Sequence, residues 1–352
     1  MPFIAVHAGA GKFNEEDVKE LKSVCRLACD KAMVKLKDGC DVNEAITVAL
    51  SVLEDSPLTN CGTGSCLTYK GTVECDASIM NGKGDFASVG AVSGVKNPIV
   101  LAHQLLLNQS KGLMSLGRIP PMCVCGDGAH QWAIENGVPV CNPDDLITEE
   151  AKEVYLDHIE RLRREDAKEG SEQCAAKRRK VNDSQSKLDT VGAVCIDGNG
   201  LIGAGVSSGG ISLKHTGRIG QAGVYGCGCW AKRHSDSSQI ASSASGVGEY
   251  LIKTQLAKEI TTSLVGQSVT IQAAFHQTFL DNVILAGYNT KESGVLVLHI
   301  SPSGSIELSW VHSTDDMVIA YNSNDKSKSF MSQLERKAIP DGIRTTAGWL
   351  SF

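Results

Sequence analysis

One junction in the sequence constrains the fold more than any other stretch. A polar and charged segment, about 165–187, leads into Asp189-Thr190, and residues 191–195 are small or β-branched. The turn-forming sequence at 197–200 then predicts a hairpin, which places Thr190 at the start of a buried strand. A polar segment that meets such a strand at Asp189-Thr190 is typical of a precursor that is cut there. The cut would give Thr190 a free α-amine, which can act as the base for its own nucleophilic hydroxyl.

Composition and charge narrow the class of protein. The chain has 352 residues, 42% of them hydrophobic, with 36 glycines and few aromatics, which suits one large folded domain or two smaller ones. The net charge of −6 argues against a broad basic surface for nucleic acid. No apolar run reaches the roughly 18 residues that a membrane helix needs, and the first residues show no secretory pattern. We therefore expect no membrane and no direct nucleic-acid partner.

The 13 cysteines are odd in number and irregularly spaced, which indicates free thiols in a reducing compartment. Cys123 and Cys125, like Cys227 and Cys229, are too close together for good zinc chelation and have no paired histidines. Packing inside the fold is the interpretation that we favour for both pairs. We expect no metal ligands and no required cofactor.

Hydrophobic periodicity predicts helices and strands that alternate along the chain. Helices are expected at about 15–37, 42–53 (with Asp41 as N-cap), 98–107, 247–258 and 269–280. Strands are expected at 3–8, 65–69, 72–80, 87–95, 294–300, 305–312 and 316–321, and residues 120–135 are expected to form a strand and then a helix. The tail from about residue 322 is polar, and we expect it to be loose.

A charged arm, about 145–188, interrupts this pattern, and we expect a helix in its first half. The arm has a first basic cluster at 161–164 and a second that consists of Lys177, Arg178, Arg179 and Lys180. Two basic clusters with a polar spacer resemble a bipartite nuclear import signal. This interpretation predicts importin α as a partner and a location in the nucleus as well as the cytoplasm. A solvated charged linker is the alternative.

Seven short motifs, most of them rich in glycine, occur along the chain. They lie at residues 7–11, 60–64, 76–80, 190–194, 207–210, 217–220 and 245–249. Each motif alone is weak, but together and in this order they resemble the type 2 asparaginase family of N-terminal-nucleophile hydrolases. The resemblance covers most of the chain except the arm and the C-terminal tail.

The resemblance implies an α+β fold, an αββα four-layer sandwich, made as one chain and cut before the threonine. Residues 1–189 would form the α subunit and residues 190–352 the β subunit of a single domain. Two such units would associate as (αβ)2. The loop 53–62 resembles the family's sodium-binding loop, whose ligands are mostly backbone carbonyls, so the sequence leaves ion binding open.

The resemblance also implies the catalytic residues. Thr190 would be the nucleophile, Ser208 a second hydroxyl beside it, and Ser245 with Gly246 the oxyanion hole. Each side chain has an ordinary structural alternative. Thr190 could be a strand-forming threonine, Ser208 a turn serine beside Gly209, and Ser245 a helix cap.

The resemblance assigns substrate binding to four further positions. Arg218 matches the arginine that grips a substrate carboxylate, since a guanidinium binds carboxylates bidentately and keeps its charge. A surface arginine is the alternative. Gly9 and Asn60 match positions near the threonine, although Asn60 could simply hold a turn. Gln221 departs from the family pattern, because the asparaginases have an aspartate there that holds the α-ammonium of the substrate.

This departure sets the expected substrate. Without the carboxylate an ammonium would be unpaired in a closed site, whereas glutamine can hydrogen-bond the neutral amide of a peptide. If Arg218 holds the side-chain carboxylate of an aspartate, Thr190 attacks the α-carbonyl and cleaves the protein after that aspartate. We expect such an endopeptidase, with nuclear transcription regulators as substrates by resemblance. The alternatives are an isoaspartyl peptidase or L-asparaginase, a scaffold without turnover, and a nucleotide binder, which the lack of a lysine near 246–248 argues against.

Overall fold

The computed structural model describes residues 1–169, 190–265, 269–288, 290–323, 325–334 and 343–352. The basic residues Lys177–Lys180 and the expected cleavage residue Asp189 lie outside these ranges, so the import and cleavage predictions stay predictions. In the part of the chain that the structure describes, no helix is long and apolar enough to cross a membrane.

Runs of strands and runs of helices follow one another along the described chain. The strands are β1 (Phe3–Gly11), β2 (Cys75–Asn81), β3 (Phe86–Val92), β4 (Cys123–Cys125), β5 (Val191–Ile196), β6 (Ile202–Ser208), β7 (Cys229–Arg233), β8 (Gln239–Gly246), β9 (Ser293–Ile300), β10 (Ile306–His312), β11 (Asp316–Asn322), β12 (Ser327–Gln333) and β13 (Thr346–Ser351). The helices are α1 (Glu15–Lys37), α2 (Val42–Glu54), α3 (Pro98–Gln109), α4 (Gly126–Glu135), α5 (Glu149–Glu169), α6 (Gly248–Thr254), α7 (Leu256–Leu264) and α8 (Ile271–Phe275).

Two sheets stack face to face between two layers of helices. Within the described residues, one sheet has the order β12-β11-β1-β5-β6-β2-β3-β4 and the other the order β13-β10-β9-β8-β7. Helices α1, α2 and α3 pack on the first sheet, and α7 and α8 pack on the second. One apolar core lies between the first sheet and its helices, and the other fills the space between the sheets and continues beneath α6–α8. The predicted α+β fold, an αββα sandwich, is confirmed.

Strand β5 is buried on both faces, which explains its small apolar residues. Its side chains alternate between the core beneath the helices and the core between the sheets. The predicted hairpin is confirmed, since β5 and β6 are antiparallel neighbours joined by a turn in which Gly200 N–H donates to Asp197 O at 3.0 Å. Thr190 therefore lies directly before a central strand.

Several helices match their predictions closely. Helix α1 has the predicted bounds, and α2 begins after Asp41, whose side chain accepts a hydrogen bond from Glu44 N–H at 2.9 Å. Helix α3 begins at Pro98, whose fixed φ suits the first turn. Helix α5 confirms the prediction of a helix in the first half of the arm.

Two predicted elements differ from the structure, because the backbone there adopts loop conformations. Residues 65–69 form no strand, and their backbone bonds to another loop instead, as in the 2.8 Å hydrogen bond from Tyr69 N–H to Lys214 O. The helix predicted at 247–258 is broken at Gln255. This residue has a φ of 48°, in the left-handed region, and separates α6 from α7.

The C-terminal part of the chain is more regular than predicted. The helix predicted at 269–280 is α8 for one turn and then widens into a π-helical turn at His276–Leu280. Strand β12 pairs with β11 and β13 with β10, each at the edge of its sheet. Edge strands expose many side chains, so their polar composition hides the strand pattern. The prediction of a loose tail is wrong for these strands.

The two close cysteine pairs have different environments. Cys227 and Cys229 are buried, and Cys229 Sγ lies 3.4 Å from Ser78 Oγ, which confirms packing for this pair. Cys123 and Cys125 are exposed on β4, the last strand of its sheet, so the packing prediction is wrong for them. Over the described ranges, no group of three or more potential ligands could hold a metal ion.

Candidate active site

Thr190 lies beside Ser208 because β5 and β6 are paired. Val191 is opposite Ser207 in the register, and Thr190 directly precedes β5. Thr190 Oγ1 donates a hydrogen bond to Ser208 Oγ at 3.1 Å, and Ser208 Oγ also accepts from Gly210 N–H at 3.0 Å. Both side chains are buried. The expected nucleophile and the expected second hydroxyl are therefore in direct contact.

Gln221 contacts the same hydroxyl. Its Nε2 donates to Thr190 Oγ1 at 2.9 Å from a short 3-10 turn, and its side chain is buried. The Thr190 oxygen thus donates one hydrogen bond and accepts another, which fixes its rotamer. A neutral N–H donor also stabilises the negative charge that develops on this oxygen when its proton leaves. The sequence predicts Gln221 as a substrate ligand, and the structure adds a contact with the nucleophile.

Ser245, at the end of β8, faces the backbone nitrogen of Thr190. The Thr190 N–H donates to Ser245 Oγ at 3.4 Å, and Ala10 N–H donates to the same oxygen at 3.1 Å. Cleavage before Thr190 would turn this nitrogen into the α-amine, so Ser245 would contact the base. The helix-cap alternative for Ser245 is wrong, because α6 begins at Gly248 with Val247 as its N-cap.

Two glycines near the site have backbone conformations that other residues rarely adopt. Gly246 has a φ of 146°, and a Cβ there would lie 2.6 Å from Glu292 O. Gly9 has a φ of 107° within a β-bulge of β1. Gly246 lines the cavity in front of Thr190, whereas Gly9 does not contribute to its lining. Gly246 therefore lies at the site itself. Gly9 can affect the site only through the bulge that it allows in β1.

His7 lies beneath the site and is neutral over the ordinary pH range. Its Nε2 lies 2.9 Å from Ser243 Oγ, and its Nδ1 accepts from Gly9 N–H at 3.3 Å. Burial lowers the pKa of His7 to about 3, against the weaker raising effect of a hydrogen bond with the Thr190 backbone. An uncharged imidazole therefore lies beside the Thr190 backbone. The motif at 7–11 contains His7, but its pattern alone gives the residue no role.

Arg218 is held in a bidentate ion pair with Glu249. Arg218 Nε donates to Glu249 Oε1 at 2.8 Å, and Nη2 donates to Oε2 at 2.7 Å. The side chain of Arg218 is 14% exposed and that of Glu249 is 48% exposed. The hydrogen bonds from Arg218 lower the pKa of Glu249. The surface alternative for Arg218 is therefore wrong, and the guanidinium already contacts one carboxylate of the chain.

A buried aspartate, Asp76, fixes the loop that contains Arg218 and Gln221. One carboxylate oxygen accepts from Gly220 N–H and the other from a backbone N–H of β3, both at 2.7 Å. Burial raises the pKa of Asp76, and the charge of Lys214 opposes this effect. The sequence motif at 76–80 does not reveal this role. The available signal is a lone carboxylate among the small and apolar residues of a predicted strand.

Asn60 ties its own loop to the turn after β6. Its Nδ2 donates to Gly210 O at 2.7 Å, and its Oδ1 accepts from Cys66 N–H at 2.9 Å. Gly209 N–H donates to the backbone oxygen of Asn60 at 2.7 Å. Asn60 thus holds a turn, as its structural alternative predicts, and the same turn positions the backbone beside Ser208.

The predicted residues converge on one cavity in front of the threonine. Its lining consists of Asn60, Thr190, Ser208, Gly210, Ile211, Arg218, Gln221, Gly246 and Gly248. Of the predicted catalytic and substrate-binding residues, Ser245 and Gly9 lie outside this lining. Arg218 is the charged residue within it.

A second buried carboxylate, Glu54, supports β6, the strand next to Thr190. Glu54 Oε1 accepts from Ser207 Oγ at 2.6 Å and from Ile99 N–H at 3.0 Å, and the side chain has no exposed surface. Burial raises the pKa of Glu54 to about 8. Its backbone oxygen accepts from Thr63 N–H at 2.9 Å and closes the loop 53–62, where ion binding stays a prediction.

Comparison with known proteins agrees with the fold. The sequence profile of the asparaginase family (Asparaginase_2) matches residues 1–332. The chain therefore belongs to the type 2 asparaginase family of N-terminal-nucleophile hydrolases.

Curated proteins similar to this chain include isoaspartyl peptidases/L-asparaginases and plant-type L-asparaginases. An isoaspartyl peptidase/L-asparaginase from Homo sapiens is 34% identical over 277 residues, which are 78% of this chain and 80% of the relative. One from Bos taurus is 33% identical over 315 residues, which are 88% of this chain and 90% of the relative. A plant-type L-asparaginase from Pyrococcus furiosus is 34% identical over 278 residues, which are 78% of this chain and 83% of the relative.

Proposed function

We propose that this protein is an N-terminal threonine endopeptidase that cleaves proteins after aspartate and activates itself by cleavage between Asp189 and Thr190. Gln221, the run at 225–230 and the basic arm are similar to the threonine aspartase taspase 1, which cleaves nuclear regulators. The main observation behind the proposal is the charge of the cavity. Arg218 is its charged lining residue, and the neutral Gln221 occupies the position of the family's aspartate.

This charge favours an aspartate within a peptide over a free amino acid. L-Asparagine and β-aspartyl dipeptides have both an α-carboxylate and an α-ammonium, so they need a cation and an anion in the site. The described lining residues include no carboxylate, and an unpaired ammonium in a closed site is costly. A peptide aspartate has a carboxylate for Arg218 and a neutral N–H. Gln221 Oε1, near Gly248, can accept that N–H while Nε2 stays on Thr190.

In the proposed reaction the α-amine of Thr190 takes the proton from Oγ1 as the oxygen attacks the carbonyl carbon of aspartate. Ser208 and Gln221 hold this oxygen before the attack, and the Gly246 N–H would stabilise the oxyanion, whereas Ser245, outside the cavity lining, would hold the amine. The amine returns the proton to the leaving nitrogen, the carbon–nitrogen bond breaks, and an ester forms on Thr190. The same amine then deprotonates a water molecule, which hydrolyses the ester and restores the threonine.

The remaining parts of the proposal rest on the sequence pattern. Self-activation would use the same site, since Asp189 precedes Thr190 as a substrate aspartate would precede its scissile bond. We also propose assembly as (αβ)2, and import by importin α through Lys177–Lys180 into the nucleus, with part of the protein in the cytoplasm.

The second candidate function is that of an isoaspartyl peptidase or L-asparaginase. The names of the relatives favour it, at 33–34% identity over most of this chain. Thr190 and Arg218 suit this reaction equally well. The α-ammonium of the substrate would then have to find its counter-charge outside the cavity lining, from Glu249 or Asp76.

A competition assay separates these functions. The purified protein is offered a peptide with an internal Gln-x-Asp-Gly sequence together with a β-aspartyl dipeptide, and products are followed by mass spectrometry. Our proposal requires cleavage of the peptide after aspartate, a β subunit that begins at Thr190, and the loss of both in Thr190→Ala. Turnover of the dipeptide alone would identify an isoaspartyl peptidase. An intact chain that acts on neither substrate would indicate a scaffold.

A further inference from the structure

The ion pair between Arg218 and Glu249 occupies one side of the guanidinium. Glu249 binds the Nε and Nη2 atoms, and it does so from α6. Arg218 lines the cavity in front of Thr190, whereas Glu249 does not. The carboxylate therefore holds the arginine from outside the cavity lining, and the Nη1 end of the guanidinium stays unused by this pair.

The Nη1 end lies against backbone that has no side chains. A Cβ on Gly210 would lie 3.0 Å from Arg218 Nη1, and a Cβ on Gly220 would lie 2.9 Å from it. A Cβ on Gly248 would lie 2.5 Å from Nη2. Gly210 and Gly248 both line the cavity. These glycines let the guanidinium pack closely, and Nη1 is next to the space that a substrate would fill.

Other charged groups around Arg218 are engaged elsewhere. Asp76 accepts from two backbone N–H groups, and Lys214 Nζ donates to Glu74 O at 2.5 Å. The Glu74 carboxylate accepts from Gly217 N–H at 2.8 Å. Among the described residues, Glu249 is thus the carboxylate that holds the Arg218 guanidinium by direct hydrogen bonds.

We propose that Glu249 is a positioning residue for substrate specificity, which orients the Arg218 guanidinium so that Nη1 binds the carboxylate of the substrate aspartate. The inference deepens the proposed function and rests on it for the nature of the substrate. Two effects oppose each other when Glu249 is changed. Loss of its charge strengthens the attraction between Arg218 and a substrate carboxylate, whereas loss of its hydrogen bonds lets the guanidinium turn away. Orientation decides, because a planar guanidinium recognises a carboxylate only along its N–H directions.

Two substitutions separate these effects. Glu249→Gln removes the charge and keeps the length, whereas Glu249→Asp keeps the charge and shortens the reach. Steady-state kinetics are measured on a peptide with aspartate before the scissile bond and on the same peptide with asparagine. We expect both variants to raise KM for the aspartyl peptide about tenfold with little change in kcat, and to lower the preference for aspartate over asparagine by about the same factor. Glu259→Gln is the matched control, since Glu259 is a half-exposed carboxylate beside Lys258 on α7 and should change neither value.

A lower KM in Glu249→Gln would overturn the inference, because Glu249 would then compete with the substrate for Arg218. An equal loss on both peptides, or a loss confined to kcat, would show a general structural role and would overturn it too. If thermal unfolding shows that a variant is folded but the variant matures poorly, its rate of self-cleavage is measured in place of peptide kinetics. Glu249→Gln and Asp189→Asn should then have non-additive effects on that rate, and additive effects would count against the inference.

The β-aspartyl dipeptide keeps this test separate from that of the proposed function. The dipeptide also presents a carboxylate to Arg218. If the wild-type protein turns over the dipeptide alone, the endopeptidase proposal fails, and the rise in KM is sought on the dipeptide instead. An unchanged KM there would overturn the role of Glu249 independently.

Discussion

Gln221 Nε2 donates a hydrogen bond to Thr190 Oγ1 at 2.9 Å, so the residue that departs from the family pattern contacts the proposed nucleophile itself. We therefore expect the departure to affect the reactivity of the hydroxyl as well as the charge of the cavity. An aspartate at this position would have no N–H to donate to the threonine, but it would offer a counter-charge to an ammonium.

Gln221→Asp tests this difference, because it removes the N–H donor to Thr190 and adds a counter-charge for an ammonium. We expect kcat/KM for aspartyl peptides to fall roughly 10- to 100-fold, because the nucleophile loses a donor, and we expect turnover of β-aspartyl dipeptides to rise. The competition assay measures both products in one reaction. Gln272→Asp, at an exposed glutamine that contacts Thr345, serves as the control. A variant that loses peptide cleavage without any gain on the dipeptide would refute the assignment of Gln221 to specificity.

Ser208 is expected to act on the rate of the chemical step. Ser208→Ala removes the acceptor of the Thr190 hydroxyl, so kcat should fall roughly tenfold with KM little changed, since the lost contact orients the nucleophile. Ser208→Thr keeps a hydroxyl and should retain most of the activity. Steady-state kinetics on the mature protein provide the comparison. A raised KM with an intact kcat would instead assign Ser208 to substrate binding.

Close packing beneath the site predicts a strong effect of Gly192→Ala. A Cβ on Gly192 would overlap Ser243 Oγ and His7 Nε2, which are buried and paired with each other. We expect the free energy of unfolding to fall by about 3 kcal/mol or more, measured by urea titration. Gly198→Ala, in the turn after β5 where no atom would lie within 4 Å of the new Cβ, should be nearly neutral. Similar urea midpoints for the two variants would mean that Ser243 and His7 can move apart with little loss of stability.

Two buried groups predict how stability depends on pH. The pKa of Glu54 is raised from 4.5 to about 8, so the folded protein holds a proton there that the unfolded chain loses, and stability from this group falls as the pH rises through that range. The pKa of His7 is lowered from 6.5 to about 3, so stability from this group falls as the pH drops below 6.5. Together the two groups favour the weakly acidic range and weaken the fold on either side of it.

Glu54→Gln isolates the alkaline part of this dependence. The amide mimics the protonated carboxyl, so we expect the urea midpoint of the variant to stay level between pH 6.5 and pH 8, while that of the wild type declines. Glu160→Gln, at an exposed carboxylate that pairs with Arg164 on α5, should keep the slope of the wild type. Parallel slopes for Glu54→Gln and the wild type would show that Glu54 is ionised in the folded protein at neutral pH.

The sequence could predict Thr190 and its hairpin because the signals are local. Turn residues and small apolar residues lie within a few positions of the threonine, and each reflects the backbone conformation at its own place. The buried carboxylates that hold the strands and loops of the site could not be predicted in this way. Glu54 and Asp76 meet their partners across long sequence separations, and a buried carboxylate looks like a surface one until the chain has folded. For the same reason the sequence shows Glu249 as part of a motif but does not identify it as the partner of Arg218.

Strand order in the eight-stranded sheet places β1, from before the arm, between β5 and β11, from after it, and places β6 against β2. Segments from the two sides of the arm thus alternate across one sheet. A cut before Thr190 would break one peptide bond and leave this alternation in place, whereas either piece alone would have central strands without neighbours. We therefore expect the chain to fold while it is still continuous, before any cut at Thr190. The two pieces would then occur in a one-to-one ratio, and halves made separately should assemble poorly, because each would expose unpaired strand edges until it met the other.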